Sequence, residues 1–433
     1  MRTYFWLAIL TSTRKPSQRM AQEIVNFIEK YMTQRLSVSD RQTRYTDVGR
    51  IVLLIVFGFG PYHDSIWSQT VNPKIKVGSR KEKPLPDELK PYFQVPDQWK
   101  GQFGPYRSPL LTDSGEWIKT EEEWMERRRQ ILRWWSQRLG KWPDLMTDPD
   151  WMILNTKDRG SYLEHKISFH WTPNSETNGY LLIPKVRGKK PAVVTVFYEP
   201  ETAIGQGKPY RDFALQLVKK GFVSLSIGTT KATESKTYAL YYPSINNATV
   251  APLSMLAYAA ANSWHLLASL EDVDSERIGI VGHSFGGKWA MFASCLFDKF
   301  ACAAWSDPGI MFDEERTSVN YWEPWYLGYH PPPWRKRGLI TEDNPAQGLY
   351  VELREQGHDL HLLHALMAPR PVLISGGSED PPRRWRALNH LVQINEALGF
   401  KKRVGMSNRP EHGPNPESNA IIYQFFEHFL SAQ

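Results

Sequence analysis

The sequence predicts an α/β protein whose mainly parallel central sheet carries helices on both faces. Three observations lead there. Short apolar, β-branched runs such as PAVVTVFYE (residues 191–199) and FVSLSIG (222–228) read as strands buried on both sides. Between such runs lie helix-like stretches, amphipathic YRDFALQLVKKG (210–221) and Ala/Leu-rich APLSMLAYAAANSWHLLASL (251–270). The two kinds alternate along the chain, as parallel strands joined by helical crossovers must.

The elements follow in order. Residues 1–75 show no such alternation and are expected to be a leader or a loosely ordered N-terminal extension. Within them Arg50 precedes an apolar run, so 48–69 has the form of a secretory signal, with a buried strand as the alternative. A secreted or periplasmic protein is expected, with a cytoplasmic one as the alternative. Residues 76–433 form one catalytic domain, beginning with a proline-rich, polar surface wrap over 76–112. A helix follows within 116–143, with Trp124, Ile131, Leu132, Trp135 and Leu139 near helical spacing and a stop at Gly140 and Pro143. LEHKISFHW (163–171) and NGYLLIPK (178–185) read as early antiparallel strands. After the helix at 251–270 come a strand (RIGIVGHS, 277–284), a helix (FGGKWAMFASCLF, 285–297) and a strand (FACAAWSD, 300–307). The aromatic and basic stretch 306–357 interrupts the pattern and reads as an insertion roofing the strand ends. A helix (358–368), a strand (370–380), a helix (383–399), a strand (401–408) and a closing helix (417–432) complete the domain. Ligands of such sheets bind at the carboxyl ends of the strands.

Composition narrows the function classes. The chain has 433 residues, 41% hydrophobic and 23% charged, an ordinary globular balance. The net charge of +7 comes from Lys and Arg interleaved with Asp and Glu. That pattern argues against nucleic acid, which selects basic patches, and is compatible with acidic substrates. No apolar run is long enough for a spanning helix. Cys295 and Cys302 match no metal spacing and read as small buried apolar residues. The 17 tryptophans are numerous, and many sit in polar company, which suits stacking on flat partners such as sugar rings.

Ser284, between Gly282 and Gly286 at a strand-to-helix joint, fits a nucleophile elbow. The small neighbours permit a tight turn, and the helix N-terminus turns the amide of Phe285 toward a developing oxyanion. A second donor is expected from the backbone near Glu199 or Glu201, after the 191–199 strand. A hydroxyl needs a base. His412 lies in the loop after the last strand, where the base of such a site belongs, whereas His428 reads as a packed core histidine. The acid has two candidates: Asp380, after the penultimate strand and preferred, and Asp307, after the strand that follows the elbow helix. Each is also a credible turn aspartate before proline. His358, His361 and His364 recur every three residues, but nothing completes a zinc set and a helix surface is the expectation. Neither metal nor cofactor is needed.

GHSFGGKWA (282–290) resembles the Gly-x-Ser-x-x-Gly-Lys signature of the glucuronoyl esterases, carbohydrate esterases of the α/β-hydrolase fold. MAPRPVLISGGSED (367–380) and RPEHGPN (409–415) resemble their late segments, and the likeness covers roughly 160–430. The resemblance implies that Lys288 contacts a sugar acid, and it admits an acid at either Asp307 or Asp380. A lysine snorkelling to solvent is the alternative for Lys288. Two positions depart from the signature: Phe285 stands where the family has arginine, and His283 where it has cysteine. The pattern therefore looks closer to neighbouring carbohydrate esterases of the same superfamily that act on pectin methyl esters, or to acetyl xylan esterases. Trp305, Trp322, Trp325 and Trp334, near the strand ends, are expected to stack on sugar faces.

The expected activity is a serine esterase acting on a polysaccharide or oligosaccharide, cleaving uronic acid methyl or glucuronoyl-type esters through an acyl-enzyme. O-acetyl esterase action is the alternative. A hydrolase-like carbohydrate-binding protein without catalysis, and a serine peptidase of the same fold, are the competitors from other classes.

Overall fold

Among the described residues nine strands form one sheet in the order β1-β2-β3-β5-β4-β6-β7-β8-β9. The computed structural model describes residues 82–229, 239–317 and 321–431. The chain divides into two units, Met1–His63 and Asp64–Gln433, and all described residues belong to the second. The leader expected at 1–75, with its signal-like segment at 48–69, lies outside the described residues.

β1 (Trp151–Asp158), β2 (Tyr162–Thr172) and β3 (Ser175–Pro184) pair antiparallel, and β3 pairs antiparallel with β5 (Val223–Gly228). From there the sheet is parallel through β4 (Lys190–Phe197), β6 (Val273–His283), β7 (Cys302–Ser306), β8 (Val372–Gly376) and β9 (Val404–Asn408). β5, β7 and β8 are buried along their whole length because both faces are covered. Successive residues still divide between two cores. Val194, Val196, Ile278, Ile280, Trp305 and Ile374 meet the helices α1 (Glu121–Leu139), α3 (Pro252–Ser269), α4 (Phe285–Leu296) and α6 (Trp385–Ala397) on one face. Val193, Phe197, Val281, Ala304 and Leu373 meet α2 (Phe213–Lys219) and α7 (Pro416–Phe429) on the other.

The helix expected within 116–143 starts where Thr120 and Glu123 form a reciprocal capping box, and it buries Trp124, Ile131, Trp135 and Leu139. The wrap is ordered over its described part: Asn389 on α6 donates to the carbonyls of Trp99 and Gln102. Two elements differ from the sequence prediction. β1 was not expected, because an edge strand exposed along its length shows no apolar alternation; Met152, Ile153 and Leu154 are all exposed. The helix expected at 358–368 is a helical turn (His361–His364) running into a 3-10 turn (Ala365–Met367). Among its described residues the 306–357 insertion contains one short helix, α5 (Leu349–Glu355), and otherwise packs as loops. Cys295 and Cys302 are buried free thiols. Among the described residues no helix is long and apolar enough to cross a membrane.

Candidate active site

β6 ends at His283, the chain reverses at Ser284, and α4 begins at Phe285. Ser284 has φ 59° and ψ −117°, a conformation that costs a non-glycine residue ~1–3 kcal/mol and persists only where the surroundings enforce it. Here they do. A Cβ on Gly282 would lie 2.2 Å from the carbonyl oxygen of Gly286, and one on Gly286 would lie 2.0 Å from that of Val196. Glycine at both positions lets strand, turn and helix close on one another, and the Ser284 amide anchors the turn by donating to the Ser306 carbonyl at 2.8 Å.

His412, in the loop after β9, brings Nε2 to 2.8 Å from Ser284 Oγ. Its Nδ1 lies 2.7 Å from Asp307 Oδ2. With Asp307 as the acceptor, Nδ1 carries the proton and Nε2 is left to accept from the serine hydroxyl. Asp307 follows β7 in a left-handed conformation, φ 48°. Its Oδ1 also accepts from the amides of Gly377 (2.6 Å) and Asp380 (2.9 Å), so the carboxylate is held by the β8 loop as well as by the imidazole.

The preference for Asp380 over Asp307 is therefore corrected. Asp380 is fully buried and its carboxylate is spent on the amides of Gly309 (2.8 Å) and Ile310 (2.7 Å). It is the turn aspartate that the alternative reading described. The exchange is reciprocal: each acid binds amides in the loop that carries the other. Burial, then repulsion from Asp307, raises the pKa of Asp380, against the pull of Arg384 and the two amides.

The base loop has an anchor that sequence reasoning missed. Buried Arg409 donates to the carbonyls of Ser375 (2.8 Å), Gly413 (2.7 Å) and His412 itself (2.7 Å). An arginine three residues before the histidine was the available signal.

Lys288 does not snorkel. It is 4% exposed, with its ammonium 5.4 Å from the centre of the Tyr321 ring in the insertion. Among the described residues no hydrogen-bond acceptor reaches that ammonium. Burial lowers its pKa to about 8, although Glu379, Asp380 and Asp307 favour its charge. Phe285 is buried and stacks on Tyr198, with ring centroids 4.7 Å apart. Glu199 lines a cavity of about 310 Å³ that reaches Ser284.

The tryptophan expectation is corrected in two places. Trp305 and Trp322 are fully buried. Their indole N–H groups donate to Ser294 Oγ and the Gly338 carbonyl, so neither ring has a face left for a sugar. Trp325 and Trp334 are half-buried, Trp325 beneath Arg337 and Trp334 stacked on Tyr241, and neither lines the cavity at Ser284. The histidine stripe is not a helix surface either: His361 and His364 are buried, with His361 Nε2 against the Arg107 carbonyl. Among the described residues no cluster of His, Cys, Asp and Glu could hold a metal ion. His428 is buried in α7.

A serine lifted at the end of a central parallel strand, met by a histidine after the last strand, narrows the architecture further. Comparison with solved structures decides it. The glucuronoyl esterase from Solibacter usitatus superposes with a TM-score of 0.59 at 16% identity, over 74% of this chain and 97% of that one. The fold is the α/β-hydrolase fold. A glucuronoyl esterase from Teredinibacter turnerae T7901 matches the same α/β-hydrolase frame with a TM-score of 0.55 at 19% identity, over 74% of this chain and 89% of that one. A promiscuous esterase from a marine bacterial metagenome gives 0.58 at 14%, over 75% and 96%. No protein-family model and no curated protein matches the chain in sequence. At these identities the likeness establishes the α/β-hydrolase fold, and the chemistry rests on the residues.

Proposed function

We propose that the chain is a serine ester hydrolase acting on a saccharide that bears a uronic acid ester. The observation that carries this is the continuous relay from Ser284 Oγ through His412 to Asp307, with both links at hydrogen-bond length. In the reaction Ser284 attacks the ester carbonyl while His412 Nε2 takes the hydroxyl proton. Asp307 holds the imidazole in the tautomer that can accept it and stabilises the cation that results. His412 then protonates the departing alcohol. A water activated by the same nitrogen releases the acid from the acyl-enzyme. The amide of Phe285, first in α4, sits at the positive end of the helix and is a natural donor to the oxyanion.

Lys288 supplies the substrate side. A buried ammonium without an acceptor is costly unless a ligand completes it. A sugar hydroxyl or carboxylate beside the scissile ester would do so, and enzymes named glucuronoyl esterases are among the similar structures. Such polymers lie outside cells, which fits a secreted enzyme.

The test is hydrolysis of benzyl glucuronate ester, methyl-esterified pectin and acetylated xylan by the protein and by Ser284→Ala. The expected result is release from a uronate ester and a fall of about 10³-fold or more in the variant. Acetate release alone would move the substrate to O-acetyl groups, and unchanged activity in the variant would end the esterase reading.

A further inference from the structure

The cavity of about 310 Å³ beside Ser284 is bounded by the segment after β4, carrying Tyr198 and Glu199, and by Lys208, Arg211 and His283. Lys288 is not part of its wall, so this pocket lies on another side of the nucleophile. Two of its groups have bonding capacity that the protein does not use. Arg211 is half-buried, and among the described residues no carboxylate or carbonyl accepts from its guanidinium. Burial lowers its pKa, the mark of a charge partly stripped of water without an anion in exchange. His283 is only 2% exposed. Its Nδ1 is occupied by Ser306, 3.2 Å from the carbonyl and 3.1 Å from the hydroxyl, while among the described residues its Nε2 has no hydrogen-bond partner. Of the two, Arg211 is the donor: a cation partly stripped of water, and given no anion by the described residues, suits the pocket to a ligand oxygen.

Position says which oxygen. In an elbow of this kind the carbonyl oxygen of the substrate settles between the amide following the nucleophile and the segment after the strand that here is β4. The cavity runs from Ser284 to that segment, and Arg211, just before α2, is part of its wall. The positive charge of Arg211 is also felt by His283, whose ring centre is 4.8 Å from that of His412, so the guanidinium belongs to the electrostatics of the reacting groups.

We propose that Arg211 is a catalytic residue of this pocket, donating to the ester carbonyl and more strongly to the oxyanion that forms when Ser284 adds to it. The inference rests on the esterase reading and deepens it. A guanidinium offers two parallel N–H groups and keeps its charge. An interaction that strengthens as charge develops on oxygen lowers the barrier without tightening ground-state binding. His283, whose Nδ1–H donates to the Ser306 carbonyl, is held neutral and so adds no second cation beside His412.

The experiment measures 4-nitrophenyl acetate hydrolysis by the full chain and by Arg211→Lys, Arg211→Gln and Arg211→Ala, with circular dichroism to confirm folding. Small probes avoid the Lys288 side of the site. The expected result is a fall in kcat of ~10²-fold or more for Gln and Ala, with KM within about 3-fold, and a smaller loss for Lys. Added guanidinium should restore part of the Arg211→Ala rate. A folded Arg211→Gln with kcat within about 3-fold of the parent, or a change confined to KM, overturns the assignment while leaving the esterase reading intact. A parent chain that neither hydrolyses the ester nor reacts with a fluorophosphonate overturns both.

Discussion

Replacing Lys288 with methionine separates two roles of one buried charge. The ammonium is driven from the ordinary lysine pKa of 10.5 to about 8 by burial. At ~1.4 kcal/mol per tenfold change, keeping it protonated in the folded state at neutral pH costs about 3 kcal/mol. Three acids, Glu379, Asp380 and Asp307, already offset part of the burial and lose a cation in the variant. Lys288→Met keeps the aliphatic stem and should therefore gain about 1–3 kcal/mol at pH 7. The sign with pH is definite. Below about 8 the lysine is charged both folded and unfolded, and the penalty is complete. Between about 8 and 10.5 the unfolded chain binds the extra proton, so the parent gains stability relative to the variant as pH rises. Urea unfolding of both proteins at pH 7, 9 and 10.5 measures this, with other groups cancelling in the difference. Turnover of a uronate ester should meanwhile fall mainly through KM. A variant less stable than the parent at pH 7, with a gap that does not change up to pH 10.5, would refute the reasoning. The ammonium would then be satisfied within the protein rather than waiting for a ligand.

Two further outcomes follow from the geometry. Asp307→Asn should lower kcat by ~10⁴-fold by removing the acceptor that sets the imidazole tautomer, while Asp380→Asn, remote from the imidazole, should cost less than ~10-fold; equal losses would mean the acid roles are misassigned. Trp305→Ala should destabilise the fold by ~3–5 kcal/mol, read in thermal or urea unfolding, and leave KM on a saccharide ester unchanged, because the ring lies in the core rather than under a sugar.

The parallel half of the sheet was legible because strands covered on both faces are short, apolar and β-branched, and Val193 and Val194 serve opposite cores with the same chemistry. The elbow was legible because its geometry is local: two glycines without which Ser284 cannot turn. His412 followed from its place after the last strand. The acid did not, since Asp307 and Asp380 both end strands and both precede proline. What separates them is the left-handed backbone at Asp307, which depends on the β8 loop 70 residues away. Trp305 and Trp322 misled for a related reason. Trp305 lies on β7 and Trp322 in the insertion, yet both pack into the same apolar core as the helices on that face of the sheet, a placement that neighbours in sequence do not reveal. β1 carried no signal, being exposed on both faces. Arg211 carried none either, as a single arginine in a loop becomes distinctive only once its lack of an anion is known.

Arg409 ties the imidazole to more than its own loop. Its guanidinium reaches from β8 to His412 and Gly413, so the base is surveyed, in effect, from the tip of the sheet. Anything that nudges the end of β8 by a fraction of an ångström is transmitted to the proton acceptor. Directed evolution of this scaffold should accordingly find rate-altering substitutions at Ser375, a residue fully buried beneath the site.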